Sequence, residues 1–186
     1  IPCRVTMFDN RENITLIQRL RDYDDPAKAC DRCLHFRAGM DNRDGLAILT
    51  VGKGLLKRPE TKKILIVLSD GAPYDMQGED AAAAYGGVKD YIIHSKEIRS
   101  KEVPEKRIVL DLEKSPGVRD TANVVRELRK KGIALLGVYI GSNRQNTLEA
   151  ERYMYGNDFA HIQDMKGFSR TVARYLQRQI LKFRED

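Results

Sequence analysis

The sequence predicts an α/β fold built on a mostly parallel sheet, and three observations carry this prediction. Ile64 to Leu68 is a continuous apolar run, the pattern of a strand that is covered on both faces. A second apolar run follows at Ile133 to Ile140. Between them an amphipathic helical pattern begins near Ser115-Pro116 and stops at Gly132. A strand, a helix and a strand in this order form a parallel unit.

The other elements are read from periodicity and from helix-breaking residues. Alternation at Arg4 to Phe8 and at Ile14 to Leu20 predicts an antiparallel hairpin. A helix is predicted at about Gly45 to Lys57, and a weaker third parallel strand at Phe159 to Ile162. The closing helix is predicted at about Phe168 to Phe183, with one apolar and one basic side.

Three further elements are predicted in the remaining segments. Asp25-Pro26 has the form of a helix start, so a short helix that carries Cys30 and Cys33 is expected after it. The long stretch between the two apolar strands predicts a helix near Tyr85 to Arg99 and an edge strand at Arg107 to Leu110.

Length and charge limit the class of protein. The chain has 186 residues, which fits a single domain, and 33 Lys and Arg against 27 Asp and Glu give a net charge of +6. The sequence contains no block of like charges, so nothing in it indicates a nucleic-acid partner. No apolar run reaches the roughly 20 residues of a membrane helix. Three cysteines without a secretory leader favour a cytoplasmic location. Because the chain begins with Ile1, we expect a segment upstream of it.

Polar residues at the predicted carboxyl edge of the sheet form a candidate metal site. Asp70 follows the last apolar position of its strand, and Asn42 and Asp44 stand just before the helix at Gly45. Ligands of open α/β sheets bind at this edge, and carboxylate and amide oxygens suit Mg²⁺. The alternative is that these residues have only a structural role. Asp70-Gly71 would then form an ordinary turn after the strand, and Asn42 or Asp44 would be the N-cap of the following helix.

Two segments of the chain resemble the von Willebrand factor A (VWA) domain. They are Asn42-Arg43-Asp44-Gly45-Leu46-Ala47-Ile48-Leu49 and the later Ile-Leu-Ile-Val-Leu-Ser-Asp-Gly-Ala-Pro-Tyr at 64–74. More narrowly, they are similar to the branch of the cobaltochelatase subunit CobT and the nitric-oxide-reductase activation proteins. The resemblance implies a three-layer, doubly wound, Rossmann-like sheet, mostly parallel, with one antiparallel edge strand. It further implies a single VWA-like domain over residues 1–186 that is truncated at its N-terminus and lacks the first strand.

The resemblance also implies a metal-ion-dependent adhesion site (MIDAS) that holds Mg²⁺ or another divalent cation. Asp70 matches the late aspartate of the family, Asn42 falls where many members have threonine, and Asp44 belongs to the chelatase branch's version of the site. The family's first motif, D-x-S-x-S, has no match in this chain. We therefore expect metal binding by residues 1–186 to be weak or absent.

The favoured function is that of a binding module and not of an enzyme. By resemblance it is the VWA part of a chelatase subunit in cobalamin biosynthesis, or of a reductase-activating subunit, and docks an AAA+ ATPase or a client protein through the cation. One alternative is a Rossmann-like, Mg²⁺-dependent phosphohydrolase that uses Asp70. The other is a basic interaction domain that acts through the face from Arg170 to Lys182. Pairing with a second copy is one way to complete the sheet, which would make the protein a homo-oligomer.

Overall fold

The computed structural model describes residues 2–11, 14–26, 42–71, 73 and 116–185. These residues form five strands, four α-helices and one 3₁₀ turn. In chain order they are β1 (Val5–Arg11), β2 (Ile14–Arg21), α1 (Asp44–Leu56), β3 (Lys63–Ser69), α2 (Pro116–Lys130), β4 (Ile133–Ile140), α3 (Gln145–Tyr155), β5 (Phe159–Ile162), the 3₁₀ turn (Met165–Gly167) and α4 (Phe168–Glu185).

The strands form two sheets. β1 and β2 make an antiparallel pair, and β3, β4 and β5 make a parallel sheet in that order. Lys63 pairs with Ile133, and Gly137 pairs with Phe159, so the three parallel strands end at one edge. Within the described ranges β3 pairs with β4 alone.

Helices cover both faces of the parallel sheet because side chains alternate along each strand. Leu65 and Val67 of β3 belong to a core that is shared with α1, α2 and α3. Ile64 and Ile66 belong to a second core, on the opposite face, to which α4 contributes Tyr175. The chain therefore has the helix, sheet and helix layers of a mostly parallel α/β fold, as the sequence predicts.

Most sequence-based expectations for the described residues are confirmed, with strand and helix ends shifted by a few residues. The hairpin, α1, β3, α2, β4, β5 and α4 all form where the periodicity predicts them. The helix α3 is absent from the prediction. The helix carrying Cys30 and Cys33, the helix near 85–99 and the edge strand near 107–110 lie outside the described residues.

The sequence pattern did not predict helix α3, because the carboxylate of Glu151 occupies one of its core positions. Leu148, Glu151 and Tyr155 are spaced as the buried stripe of an amphipathic helix, and all three are buried. A glutamate in the middle of that stripe breaks the apolar pattern.

The closing helix α4 buries a stripe that differs from the one its apolar residues indicate. Tyr175 and Gln179 are buried, whereas Ile180 of the predicted apolar side is 41% exposed. The basic side is exposed to solvent, and Arg178 Nη2 donates a hydrogen bond to Asp158 Oδ1 at 2.5 Å. No helix in the described part of the chain is long and apolar enough to cross a membrane.

Tyr23 joins the hairpin to the loop between α1 and β3. Arg4 Cζ lies 4.4 Å from the centre of the Tyr23 ring, and Arg58 Cζ lies 4.5 Å from the same ring. Both arginines are themselves held by carboxylates, since Arg4 pairs with Asp22 and Arg58 with Glu60, each at 2.7 Å. The guanidinium groups are thus fixed in place against the aromatic ring.

We expect Tyr23→Leu to lower the free energy of unfolding by about 2 kcal/mol, because two oriented cation–π contacts are lost while most apolar area is kept. Urea unfolding measures this loss. Tyr153→Leu is the matched control, because Tyr153 is 38% exposed and has one such contact, with Arg126 at 5.4 Å. Its expected effect is below about 0.5 kcal/mol. Equal losses in the two variants would contradict a role for Tyr23 in joining the hairpin.

Candidate metal site

The carboxyl end of β3 turns sharply at Ser69, Asp70 and Gly71. The Gly71 backbone N–H donates to Ser69 Oγ at 3.2 Å, and the Ser69 hydroxyl in turn donates to the Gly71 carbonyl. These two hydrogen bonds stabilise the turn without involving the Asp70 carboxylate. Asp70 is exposed at the carboxyl edge of the sheet, where open α/β sheets bind ligands.

Asn42 and Asp44 meet at the start of α1. Asn42 Nδ2 donates a hydrogen bond to Asp44 Oδ1 at 2.9 Å. The N-cap position belongs to Arg43, and no side chain there caps the helix. Neither Asn42 nor Asp44 therefore occupies the N-cap position that the structural alternative assigns to one of them. The Asp44 carboxylate also lies in the first turn, where the helix dipole favours negative charge.

Burial dominates the electrostatics of Asp44, whose side chain is fully buried. Loss of hydration raises the pKa of Asp44 to about 7, the Asn42 hydrogen bond lowers it, and the negative charge of Asp70 raises it further. This coupling means that the two carboxylates lie within electrostatic reach of each other. Asn42 and Asp44 are therefore hydrogen-bonded neighbours, half-buried and buried respectively, and the exposed Asp70 is near enough to affect the ionisation of Asp44.

The oxygen atoms of Asn42, Asp44 and Asp70 are suitable ligands for a hard cation, although only two of the three residues are acidic. Two carboxylates and one amide oxygen are the ligand types that Mg²⁺ takes from proteins, with water at the remaining positions. Asp44 Oδ2 is buried without a hydrogen-bond partner, so it remains available as an acceptor. Among the described residues, no group of three His, Cys, Asp or Glu side chains is arranged to hold a metal ion.

Sequence reasoning missed three buried polar residues next to this site: Thr121 of α2, and Glu151 and Tyr155 of α3. Burial raises the pKa of Glu151 to about 8, and the charge of Asp44 adds to the effect. Burial also raises the pKa of Tyr155 well above its usual range, and Asp44 and Glu151 raise it further. The one feature of the sequence that could have indicated these three residues is Glu151, a glutamate at a core position of a helix.

Close packing of α1 against α2 encloses these residues. A Cβ atom on Gly45 would lie 2.1 Å from Asp120 Oδ2 and 3.3 Å from the Thr121 backbone nitrogen. Only a residue without a side chain lets the two helices approach this closely. The glycine after Asp44 therefore serves packing, and it places the start of α1 beside the polar residues of α2.

A parallel sheet between helical layers, with acidic and amide side chains at its carboxyl edge, is consistent with a VWA-like α/β domain. The family described as "Cobalamin biosynthesis protein CobT VWA domain" matches residues 27–105. That range contains Asn42, Asp44 and Asp70. The chain thus resembles the CobT VWA domain, a cobaltochelatase-type module of cobalamin biosynthesis, as its motifs predict.

One curated relative is the "Uncharacterized protein YojO" of Bacillus subtilis (strain 168), which is 28% identical over 127 residues. The matched region covers 67% of this chain and 14% of that protein, so the chain spans a small part of the relative's length. No solved structure matches the chain.

Proposed function

We propose that this chain is a divalent-cation-dependent protein-binding module of a cobaltochelatase-like or reductase-activating subunit, and that it works with an AAA+ ATPase or a client protein. Its role is to bind a partner, and ATP hydrolysis or metal insertion belongs to the rest of the assembly. The observation that supports the proposal is the hydrogen-bonded pair of Asn42 and Asp44, whose buried carboxylate is electrostatically coupled to Asp70 at the carboxyl edge of the parallel sheet. A cytoplasmic location stays a prediction from cysteine usage.

The charges of the site support recognition through a cation. Asp44 and Asp70 repel each other electrostatically, and this repulsion contributes to the raised pKa of Asp44. A cation between two carboxylates relieves such repulsion. When bound, Mg²⁺ supplies a Lewis-acidic position that a carboxylate of a partner can fill. Asp70 would hold the cation through its exposed carboxylate, and the Asn42 hydrogen bond orients the buried Asp44 carboxylate.

We expect Asp70→Asn to abolish the Mg²⁺-dependent part of partner binding, which is small in this chain because it has no match to the D-x-S-x-S motif. The test immobilises the chain and measures capture of purified AAA+ ATPases from the same organism, in Mg²⁺ and in EDTA. The amide keeps the size of the side chain and removes its charge, so loss of capture reports on the cation and not on the fold. Glu149→Gln is the control, since Glu149 is an exposed carboxylate on α3 that is hydrogen-bonded to Gln145.

The same experiment separates the proposal from its alternatives. Capture that persists in EDTA and in Asp70→Asn overturns the proposal in favour of a basic interaction domain. Loss of binding in a variant with Arg170 and Arg174 replaced by Ala, together with an unchanged response to Mg²⁺, leads to the same conclusion. Mg²⁺-dependent phosphate release that requires Asp70 would instead identify a phosphohydrolase.

A further inference from the structure

Two side chains of the parallel sheet hold the loop between β4 and α3. We call residues 141–144 the edge loop. The hydroxyl group of Tyr139 donates a hydrogen bond to the Ser142 carbonyl at 2.9 Å. His161 Nε2 lies 2.8 Å from the Gly141 carbonyl oxygen, and this nitrogen carries the proton because a carbonyl only accepts. Both hydrogen bonds therefore run from side chains of the sheet to the backbone of the edge loop.

Tyr139 and His161 form one unit on one face of the sheet. They are register partners on β4 and β5, and their rings stack with centroids 5.1 Å apart and planes inclined by 19°. A Cβ atom on Gly141 would lie 2.6 Å from Tyr139 Oη, so the phenol packs directly on the backbone of the edge loop. Tyr139 is 2% exposed, and phenylalanine would fill the same space. The hydroxyl group therefore serves the loop and not the core.

The edge loop is also bonded through its own backbone. The Gly141 N–H donates to the Ile162 carbonyl at 3.1 Å, and the Arg144 N–H donates to the Ser142 carbonyl at 2.8 Å. The side chains of Ser142, Asn143 and Arg144 are exposed to solvent. The loop thus combines a fixed backbone with polar side chains that face solvent.

The edge loop lies beside the turn that contains Asp70. Ser69 pairs in register with Tyr139, and neighbouring strands are about 4.8 Å apart, so the two chain segments leave the sheet side by side. Loops at this edge make the ligand contacts of open α/β folds. A loop that is already ordered loses less conformational entropy on binding than one that binding must order. Arg144 is the one charged residue in the sequence 140–148, so this segment presents positive charge alone.

We propose that the edge loop is a preformed contact surface for an acidic segment of a protein partner, and that Arg144 pairs with a carboxylate of that segment. Tyr139 and His161 are positioning residues, which hold the loop in its binding conformation. The partner is that of the proposed function, on which this inference rests. An acidic segment that lies across the carboxyl edge and supplies a carboxylate to the cation at Asp70 also reaches Arg144. The edge loop thus adds a contact that needs no cation.

Amide hydrogen exchange of the purified chain tests the positioning role without any partner. We expect Tyr139→Phe and His161→Phe each to speed exchange of the Arg144 N–H about tenfold, because each removes one hydrogen bond to the loop and keeps an aromatic ring. His161→Gln retains an N–H donor and should restore part of the protection. Tyr153→Phe is the control, since it removes a hydroxyl group from an exposed side chain of α3. Exchange that is equal in the unaltered chain and in both phenylalanine variants overturns the proposal.

Capture of the AAA+ ATPase, measured as a dissociation constant, tests the contact itself. Arg144→Ala should weaken binding about fivefold, the scale of one exposed ion pair. Tyr139→Phe should weaken it as well, because the loop is then less ordered before binding. Arg152→Ala is the matched control, since Arg152 is an exposed arginine in the last turn of α3. Equal binding by Arg144→Ala and Arg152→Ala overturns the proposal, as does unchanged binding by a Tyr139→Phe variant whose loop exchange has risen.

Asp70→Asn and EDTA separate this inference from the proposed function. Both should remove the Mg²⁺-dependent part of capture, and both should leave the hydrogen exchange of the edge loop and the effect of Arg144→Ala unchanged. If neither changes capture while Arg144→Ala and Tyr139→Phe still weaken it, the role of the cation is refuted and the contact of the edge loop stands. If Tyr139→Phe fails to fold, the comparison of His161→Phe with His161→Gln decides in the same way.

Discussion

Gly137→Ala is expected to lower the free energy of unfolding by about 3 kcal/mol, because overpacking of a closed core forces neighbouring atoms to move. Gly137 lies in the middle of β4, and a Cβ atom there would lie 2.3 Å from two atoms of the Tyr155 ring. The Tyr155 ring is fully buried in a close-packed core, so it cannot move aside to make room for the added methyl group. Urea or thermal unfolding of the purified variant measures the loss.

Gly54→Ala provides a control with the opposite sign. Gly54 lies in α1, and a Cβ atom there would meet no heavy atom within 4 Å. Alanine is favoured over glycine in a helix by up to about 1 kcal/mol, so this variant should be slightly more stable than the unaltered chain. The two substitutions add the same methyl group. If they changed stability by similar amounts, the close approach of Tyr155 to β4 would be wrong.

The second large effect is a loss of stability with rising pH that depends on Glu151. Burial raises the pKa of Glu151 from 4.5 to about 8, so the folded chain binds this proton more tightly than the unfolded chain does. The resulting stabilisation is complete below pH 4.5 and disappears as the pH rises through about 8. Its size is on the order of 5 kcal/mol, since the pKa of Glu151 rises from 4.5 to about 8 and each pKa unit corresponds to about 1.4 kcal/mol.

Glu151→Gln should remove most of this pH dependence and make the chain more stable than the unaltered one at alkaline pH. Unfolding is measured by urea titration in chelator from acid to alkaline pH, so that no cation replaces the proton. Asp44 faces Glu151 from α1 and retains its own raised pKa, which leaves a residual slope near pH 7. Glu149→Gln should follow the unaltered chain. A pH profile unchanged by Glu151→Gln would show that Glu151 is ionised at little cost in the folded protein.

Local sequence determined the order and type of nearly every described element. Continuous apolar runs produce β3 and β4 because strands covered on both faces have no polar side. The break between α2 and β4 follows from Gly132, whose φ of 89° suits glycine. Asp70, Asn42 and Asp44 could be selected as candidate ligands because they stand next to strand and helix ends at the edge where open α/β sheets bind ligands, and their role as ligands stays a prediction. Periodicity failed at α3, where Glu151 occupies a position that the pattern assigns to an apolar residue.

The sequence by itself determined the α/β class, the succession of strands and helices, and the three candidate ligands at the edge of the sheet. Only the tertiary structure decided that Asp44 is buried, that Tyr175 and Gln179 are the buried residues of α4, and that Asp44 is near enough to Glu151 to affect its pKa. The physical reason is that burial and electrostatic coupling depend on which elements pack together. Strand and helix periodicity depend on neighbours a few residues apart, whereas the electrostatic coupling of Asp44 and Glu151 joins two helices that are distant in the chain.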